Sequence, residues 1–409
     1  MEAKGFAILQ QFSRDYWLRA FGDFLTGFGR SMLIPFMLIY LTQVGNFSTW
    51  EATLLTAVPQ FFQLFSTSWG GLLADYYGRK PLMFISLAVS GVVLVLMTGH
   101  NYKIVYAGYA VFLIVSNFYR PAAMAMISEV VSVEFHRQAF SILRMLSNLG
   151  FALGPLVGAT LFFTHRGLVV GGTCSAYLLV ACTVFIMNES GHTLKIEGNI
   201  LTKLGNPFKS FVLLKRDIHL RWTVITGVLF LMVQLQMFSS FTVVVNDAFK
   251  DNGRMLSYLL LINTAGVMLT QYFITDLTKR MNFYKLVLVA IAFATLGWGM
   301  LIVPIGNGRF YILLVLATLA EMVFAAGYNP HIASLAQEGE VARYMSFTQT
   351  STILGQMIGP TIGAIGYDSA GTTGYVLILW TLLLITFICL QVLKRFVVNP
   401  LSAGQVLQR

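Results

Sequence analysis

The sequence predicts an all-α membrane protein: twelve transmembrane helices in two pseudo-symmetric six-helix bundles. Three observations carry that expectation. The 409 residues are 56% apolar and only 11% charged, with a mean hydropathy of +0.72; a water-soluble domain has nowhere to hide so much apolar surface, and a bilayer does. The apolar residues fall in runs of about 20, the length that crosses a hydrocarbon core ~30 Å thick. Short strings in the first half recur, in the same order, in the second.

The runs lie at 17–43, 50–73, 81–99, 104–130, 138–164 and 168–187, then at 220–245, 255–275, 284–304, 309–330, 342–367 and 371–393. The first is long enough to span, and no cleavage pattern precedes it, so it reads as a retained helix and not a signal peptide. Connecting segments are short except 188–217, the most polar long stretch, which divides the spans six and six. The predicted domains are therefore a bundle over 1–187, a linker over 188–217 and a bundle over 218–409. Around 208–215 the linker is amphipathic, as a helix lying on a membrane surface would be.

The net charge of +10 follows topology. With a cytoplasmic N-terminus, 19 of the 27 Lys and Arg fall on the cytoplasmic side, five on the other, and Arg30, Arg120 and Arg144 stay within spans. This positive-inside bias places both termini and the linker in the cytoplasm of a multi-pass plasma-membrane protein. It also accounts for the basic charge without a nucleic-acid partner; the expected partners are the lipid bilayer and a small, lipophilic molecule, with the monomer as the working unit. Cys174, Cys182 and Cys389 sit inside apolar runs, which argues against a disulfide framework or a thiolate metal site. The sequence has no phosphate-cradling G-x-x-x-x-G-K-[ST], no His pair at metal spacing and no nucleophile elbow. The expectation is neither an enzyme nor an ATP-driven protein, with no cofactor and no metal, drawing on an ion gradient.

The repeat is carried by three matches. "LGFALGPLVGA" (149–159) and "LGQMIGPTIGA" (354–364) place Gly150, Gly154, Pro155 and Gly158 in register with Gly355, Gly359, Pro360 and Gly363. Upstream, Tyr119-Arg120-Pro121 and Tyr328-Asn329-Pro330 share a Tyr-x-Pro. Asp75 and Arg79 have an echo in Asp276 and Arg280 at the same four-residue spacing. The offsets, 201 to 209 residues, describe two copies of the same orientation, and parallel six-helix repeats are a transporter architecture.

The loop between spans two and three, "GGLLADYYGRK" (70–80), supplies Gly71, Leu73, Ala74, Asp75, Gly78, Arg79 and Lys80. In that spacing they resemble the G-x-L-A-D-x-x-G-R-K motif of the major facilitator superfamily, and the likeness extends over nearly the whole chain. Tyr76 stands where a basic residue is frequent in that family. The resemblance implies the major facilitator fold and a gating role for this cluster, which latches the two bundles in the family's outward-facing state. Glycines 70, 71 and 78 suit a tight turn and close backbone packing; a solvated turn that merely marks topology is the alternative. "GFALGPLVGA" in span five resembles the antiporter motif of the superfamily's proton-coupled drug exporters, although Ser141 and Ala159 replace expected glycines. Its recurrence in span eleven suits helix packing as well. Arg120 resembles the exporters' fourth-span arginine, though Ala123 and Met124 stand where Gln-Gly is expected.

Charges inside spans are costly, at roughly 2.5–3.5 kcal/mol each at a helix centre, so they mark function. Asp23 and Arg30 are seven residues apart on one face of span one, about 10 Å along the axis. Asp23 either faces the cavity for cation recognition and proton coupling, as its resemblance to an exporter acid implies, or pairs structurally with Arg19 or Arg120. Glu321 lies mid-span in "LVLATLAEMVFAAGYNP", where desolvation favours the neutral carboxyl and enables proton loading and release. Its surroundings also resemble those of the membrane-embedded glutamate of some multidrug exporters. Arg120, Arg144 and Glu129 form either a charge relay towards Asp75 or a direct site for an anion. Gln234, Gln236 and Asn263 are interhelical glue or cavity contacts, and Phe61, Phe62 and Phe65 form either an aromatic wall for lipophilic cations or a lipid-facing patch. The functional expectation is proton-coupled efflux of lipophilic, often cationic compounds by alternating access. The alternatives are a carrier or flippase for an anionic metabolite or lipid, and a transporter-like sensor that moves nothing.

Overall fold

The computed structural model describes residues 12–132, 135–188, 212–251, 253–336 and 341–398. Every secondary-structure element among them is helical. Where a predicted run is interrupted, the cause is local. Span one is α1 (Arg14–Ser31) followed by α2 (Ile34–Gln43). The Pro35 ring clashes with a helical carbonyl four residues back, at Ser31, where α1 stops. The fourth run, expected as one helix over 104–130, is instead α5 (Tyr102–Ser116) and α6 (Tyr119–Val130). Pro121 has the same effect on the carbonyl of Asn117. The remaining helices of the first half are α3 (Thr49–Tyr77), α4 (Arg79–Val93, continued as a 3-10 turn over Leu94–Thr98), α7 (His136–Leu161) and α8 (Arg166–Ile186).

After α9 (Val212–Arg216), a five-residue helix within the predicted amphipathic stretch, the second half begins with α10 (Ile218–Gln234), a 3-10 turn and α11 (Ser240–Phe249). There follow α12 (Arg254–Thr278), α13 (Phe283–Gly299) and α14 (Gly308–Leu335). The last helical run, α15 (Val341–Val398), is broken at Ala370 and Gly371. Gly371 has φ 59° and ψ −148°, a conformation open essentially to glycine alone. Linker residues 189–211 lie outside the described residues.

Seven helical runs among the described residues are both long and apolar enough to cross a bilayer. The final one, Tyr344–Arg395, holds 52 residues, about 78 Å of helix and enough for two crossings. Large apolar side chains stand outward: Leu269, Phe273 and Leu277, at successive turns of α12, are 73%, 68% and 78% exposed. An apolar stripe of that kind is a liability in water and ordinary against lipid.

The chain divides into two compact units. Unit one comprises Met1–Gly45, Val58–Pro207 and Lys250–Thr264; unit two comprises Asn46–Ala57, Phe208–Phe249 and Ala265–Arg409. Unit one is organised around α1. A Cβ at Gly150, Gly154 or Gly158 of α7 would run into the backbone of α1 and α2 at Phe24, Phe28 and Met32, and into the Phe36 ring. On the side of α1 facing α8, Thr173 donates to the Gly29 carbonyl at 3.3 Å. The start of α12 belongs to this unit, with Ser257 donating to the Pro155 carbonyl at 2.8 Å.

Unit two repeats the device. A Cβ on Gly355 would press on Leu231, on Gly359 on the Met232 backbone, and on Gly363 on the Gln236 amide. The start of α3 lies in this unit, its Trp50 amide donating to the Asp368 carboxylate at 2.8 Å. Trp298, Phe241 and Phe310 fill the core beside them.

Candidate functional site

In unit one, Arg19, Asp23 and Arg30 lie along α1, and their side chains meet different fates. Arg19 and Asp23, one turn apart, form an ion pair in which Arg19 is only 1% exposed. The guanidinium also lies over the Tyr119 ring, 4.7 Å from its centroid. The Arg19–Asp23 contact is an i,i+4 pair legible in the spacing. The buried Phe12, Tyr16, Ile127, Val131 and Leu143 pack nearby, and the Tyr16 hydroxyl donates to the Ala139 carbonyl at 2.9 Å.

Two turns along α1, Arg30 is half-buried and reaches the Gln63 side-chain oxygen of α3 at 3.5 Å. Its Nε is buried without a hydrogen-bond partner. Asn117 holds this part of α3 by donating to the Gln63 carbonyl at 3.2 Å and to Ser66 at 3.5 Å. Arg120, in the first turn of α6, is exposed. It lies within electrostatic reach of Arg30, Asp23 and Arg19, most strongly of Arg30. Gln63, Asn117 and Tyr119 were not expected in this neighbourhood; only the Tyr-x-Pro string pointed towards it. The side chains of Glu129 and Arg144 lie outside the described residues.

Phe61 and Phe62 are exposed and Phe65 half-buried. Their rings are 5.4 to 6.4 Å apart and run on to Trp69 at 5.3 Å, forming a continuous aromatic strip along α3.

In unit two, Glu321 is half-buried on α14 between the buried Ala320 and Met322. One turn earlier, the Ala317 carbonyl accepts from Gln234 of α10 at 2.9 Å. Helical side chains lean towards the N-terminus, so the Glu321 carboxyl projects back over that turn. Beyond it, Phe230, Phe324 and Tyr328 stack at 4.2 and 4.8 Å, and the Tyr328 hydroxyl bonds Ser351 at 2.7 Å.

Gln236 is 0% exposed and saturated. It donates to the carbonyls of Gly359 at 2.7 Å and Met232 at 2.9 Å, and accepts from Ser240 and from Tyr375. These bonds join the turn after α10 to α15. Gln234 is buried too, and Asn263, of unit one, is 3% exposed.

The loop motif divides in two. Gly78 (φ 97°, ψ 149°) makes the turn between α3 and α4. Gly70 instead lies inside α3, where a Cβ would come 2.7 Å from the Pro121 ring, so its smallness serves packing and not the turn. Lys80 donates to the Met187 carbonyl at 2.7 Å and sits over the Phe185 ring, tying α4 to the end of α8. The surroundings of Gly71 and the side chain of Asp75 lie outside the described residues. In the second copy, Asp276 pairs with Lys279 at 2.7 Å, both well exposed. No cluster that could hold a metal ion occurs among the described residues.

Residues 20–337 fit the family described as Major Facilitator Superfamily, and residues 254–406 fit it again. The chain belongs to that superfamily. It is 21% identical over 392 residues to a Na(+), Li(+), K(+)/H(+) antiporter of Planococcus maritimus, covering 86% of this chain and 89% of that one. It is 25% identical over 393 residues to the multi-drug resistance efflux pump PmrA of Streptococcus pneumoniae serotype 4, covering 92% and 94%. A crystal structure of the peptide transporter POT in complex with sulfate superposes with a TM-score of 0.77 at 14% identity, covering 94% of both chains; at that identity the likeness is one of fold. This superfamily member is a multi-pass membrane transporter for small molecules.

Proposed function

We propose that this transporter expels lipophilic, often cationic compounds from the cytoplasm in exchange for protons, by alternating access. The observation that carries the reading is Glu321: a carboxyl in the middle of an apolar helix, half-buried between buried neighbours. A membrane-embedded carboxyl is retained for a task, and one that alternates between neutral and charged forms supplies the simplest coupling to a proton gradient. The aromatic strip from Phe61 to Trp69 adds a surface for flat, lipophilic cations. The names of its relatives, an efflux pump and a cation/H+ antiporter, agree with this class. The protein works as a monomer in the plasma membrane, with cytoplasmic termini. Glu321 exchanges the proton, and the loop around Gly78, Arg79 and Lys80 gates the cycle, with Asp276 and Arg280 as its second copy.

The test uses energised inside-out vesicles that report luminal pH by a trapped dye. Adding lipophilic cations releases protons through the wild type and not through Glu321→Gln. Proton release indifferent to Glu321→Gln overturns the assignment of coupling to this residue, and a response to organic anions alone overturns the cargo class.

A further inference from the structure

The arginines of unit one are not treated alike. Arg19 has a carboxylate and an aromatic face, so its charge is matched within the protein. Arg30, on the same helix, shares with Arg19 a buried Nε that has no partner, but its side-chain contact is a neutral amide oxygen at 3.5 Å, the outer limit of a hydrogen bond, and not a carboxylate. Arg120 is exposed at the opening turn of α6, and Arg30 is the charge it feels most. Among the described residues, the acid within reach of Arg120 is Asp23, and Asp23 is paired with Arg19. Two positive charges of like sign are thus held near each other in a membrane-spanning bundle. The protein supplies amides and phenols around them: Gln63, with Tyr109 and Tyr177 within electrostatic reach of Arg30. Such groups orient a guanidinium but do not neutralise it. A planar guanidinium fork with open donors fits a carboxylate or phosphate.

We propose that Arg30 and Arg120, with Gln63 orienting Arg30, form an anion-docking subsite for the acidic group of an amphiphilic ligand. The class of compounds handled then includes zwitterions. The inference rests on the transporter reading for its biological meaning but not for its measurement. A phospholipid headgroup presents the same oxyanion chemistry as a solute's carboxylate, and the experiment separates the two sources.

The full-length protein is placed in phosphatidylcholine nanodiscs. Equilibrium binding is measured for three molecules with one ring system: 2-naphthylalanine amide (cation), 2-naphthylalanine (zwitterion) and N-acetyl-2-naphthylalanine (anion). Arg30→Gln and Arg120→Gln each weaken the two carboxylate-bearing probes at least tenfold while the amide changes less than twofold, and Arg30→Lys retains part of the carboxylate preference. Repeating the titration with phosphatidylglycerol in the disc tests the lipid source. If the headgroup is the natural anion, it competes with the carboxylate probes in the wild type and not in Arg30→Gln, which still supports the subsite. An equal loss for all three probes, or no loss for any, overturns the proposal. Arg120 is exposed, so Arg120→Gln keeps the test valid should Arg30→Gln fail to fold. Because binding is read without a gradient, failure of proton release in vesicles refutes the antiport reading and leaves this result standing.

Discussion

The glycine seam between α1 and α7 can be tested by adding one carbon atom at two places. Gly154 and Gly172 are both helical, so replacing either by alanine gains about 0.5–1 kcal/mol of helix stability. At Gly172 the new Cβ meets nothing within 4 Å, and the gain is kept. At Gly154 the Cβ would lie 2.5 Å from the Phe28 carbonyl oxygen, 3.1 Å from the Met32 amide nitrogen, and against the Ser31 hydroxyl. Ser31 can rotate away, but the two backbone atoms move only with α1. Overpacking of this kind costs about 1–3 kcal/mol, and contact with rigid atoms puts Gly154 at the upper end, leaving a net loss of about 2 kcal/mol. The two variants therefore differ by about 2–3 kcal/mol, or roughly 5–10 °C in midpoint for a unit of this size. Heating detergent-solubilised protein and following the surviving monodisperse peak reads that gap. The second copy offers a parallel pair: Gly359→Ala, 2.6 Å from the Met232 Cα, against Gly266→Ala, whose nearest neighbour is 3.8 Å away. If Gly154→Ala melts with Gly172→Ala, the steric reasoning is wrong.

Two further changes probe buried polar groups. Asp23→Asn leaves Arg19 charged and buried, and removal of one partner from such a pair costs about 3–5 kcal/mol; the double variant Arg19→Met, Asp23→Leu recovers most of that. Proton-coupled transport measured in the double variant separates the roles: restored activity makes the pair structural, whereas a stable but inactive protein makes Asp23 a participant. Gln236→Leu removes the hydrogen bonds to the Gly359 carbonyl and to the Ser240 and Tyr375 hydroxyls, leaving the two hydroxyls a contact with each other at 3.5 Å, with an expected loss of about 2–3 kcal/mol in the same melting assay; a loss below half that shows water taking over these bonds.

Much of the fold was legible because the bilayer leaves the chain few options. Backbone groups in hydrocarbon must be paired within a helix, so each apolar run could only be helical; where a run would break was not legible, because helices stop before Pro35 and Pro121 but continue through Pro59, Pro155, Pro330 and Pro360. The glycine strings were legible as well, since both copies have the same spacing. The fate of each polar side chain was not. Asp23 had two arginines in prospect, Arg19 and Arg120, and the choice between them depends on which helix faces which. Gln236 and Glu321 look alike in sequence, each a polar residue in an apolar stretch, but one is sealed by four hydrogen bonds and the other is half open. Gln63 became relevant only through its distance to Arg30, and no local pattern announces a contact between residues 33 positions apart.

The seam also bears on what a duplicated gene can and cannot rewrite. When two side chains collide, a second substitution can carve out room, so such contacts drift as compensated pairs. At Gly154 and Gly359 the obstacle is main chain, at Phe28 and at Met232, and every amino acid carries the same main chain. No suppressor within the opposing helix can relieve the clash. That explains why these glycines agree between the two copies while the second version of the loop, "TDLTKR", has shed its glycines. Its Asp276 and Lys279 stand in solvent, where almost any neighbour would have been tolerated.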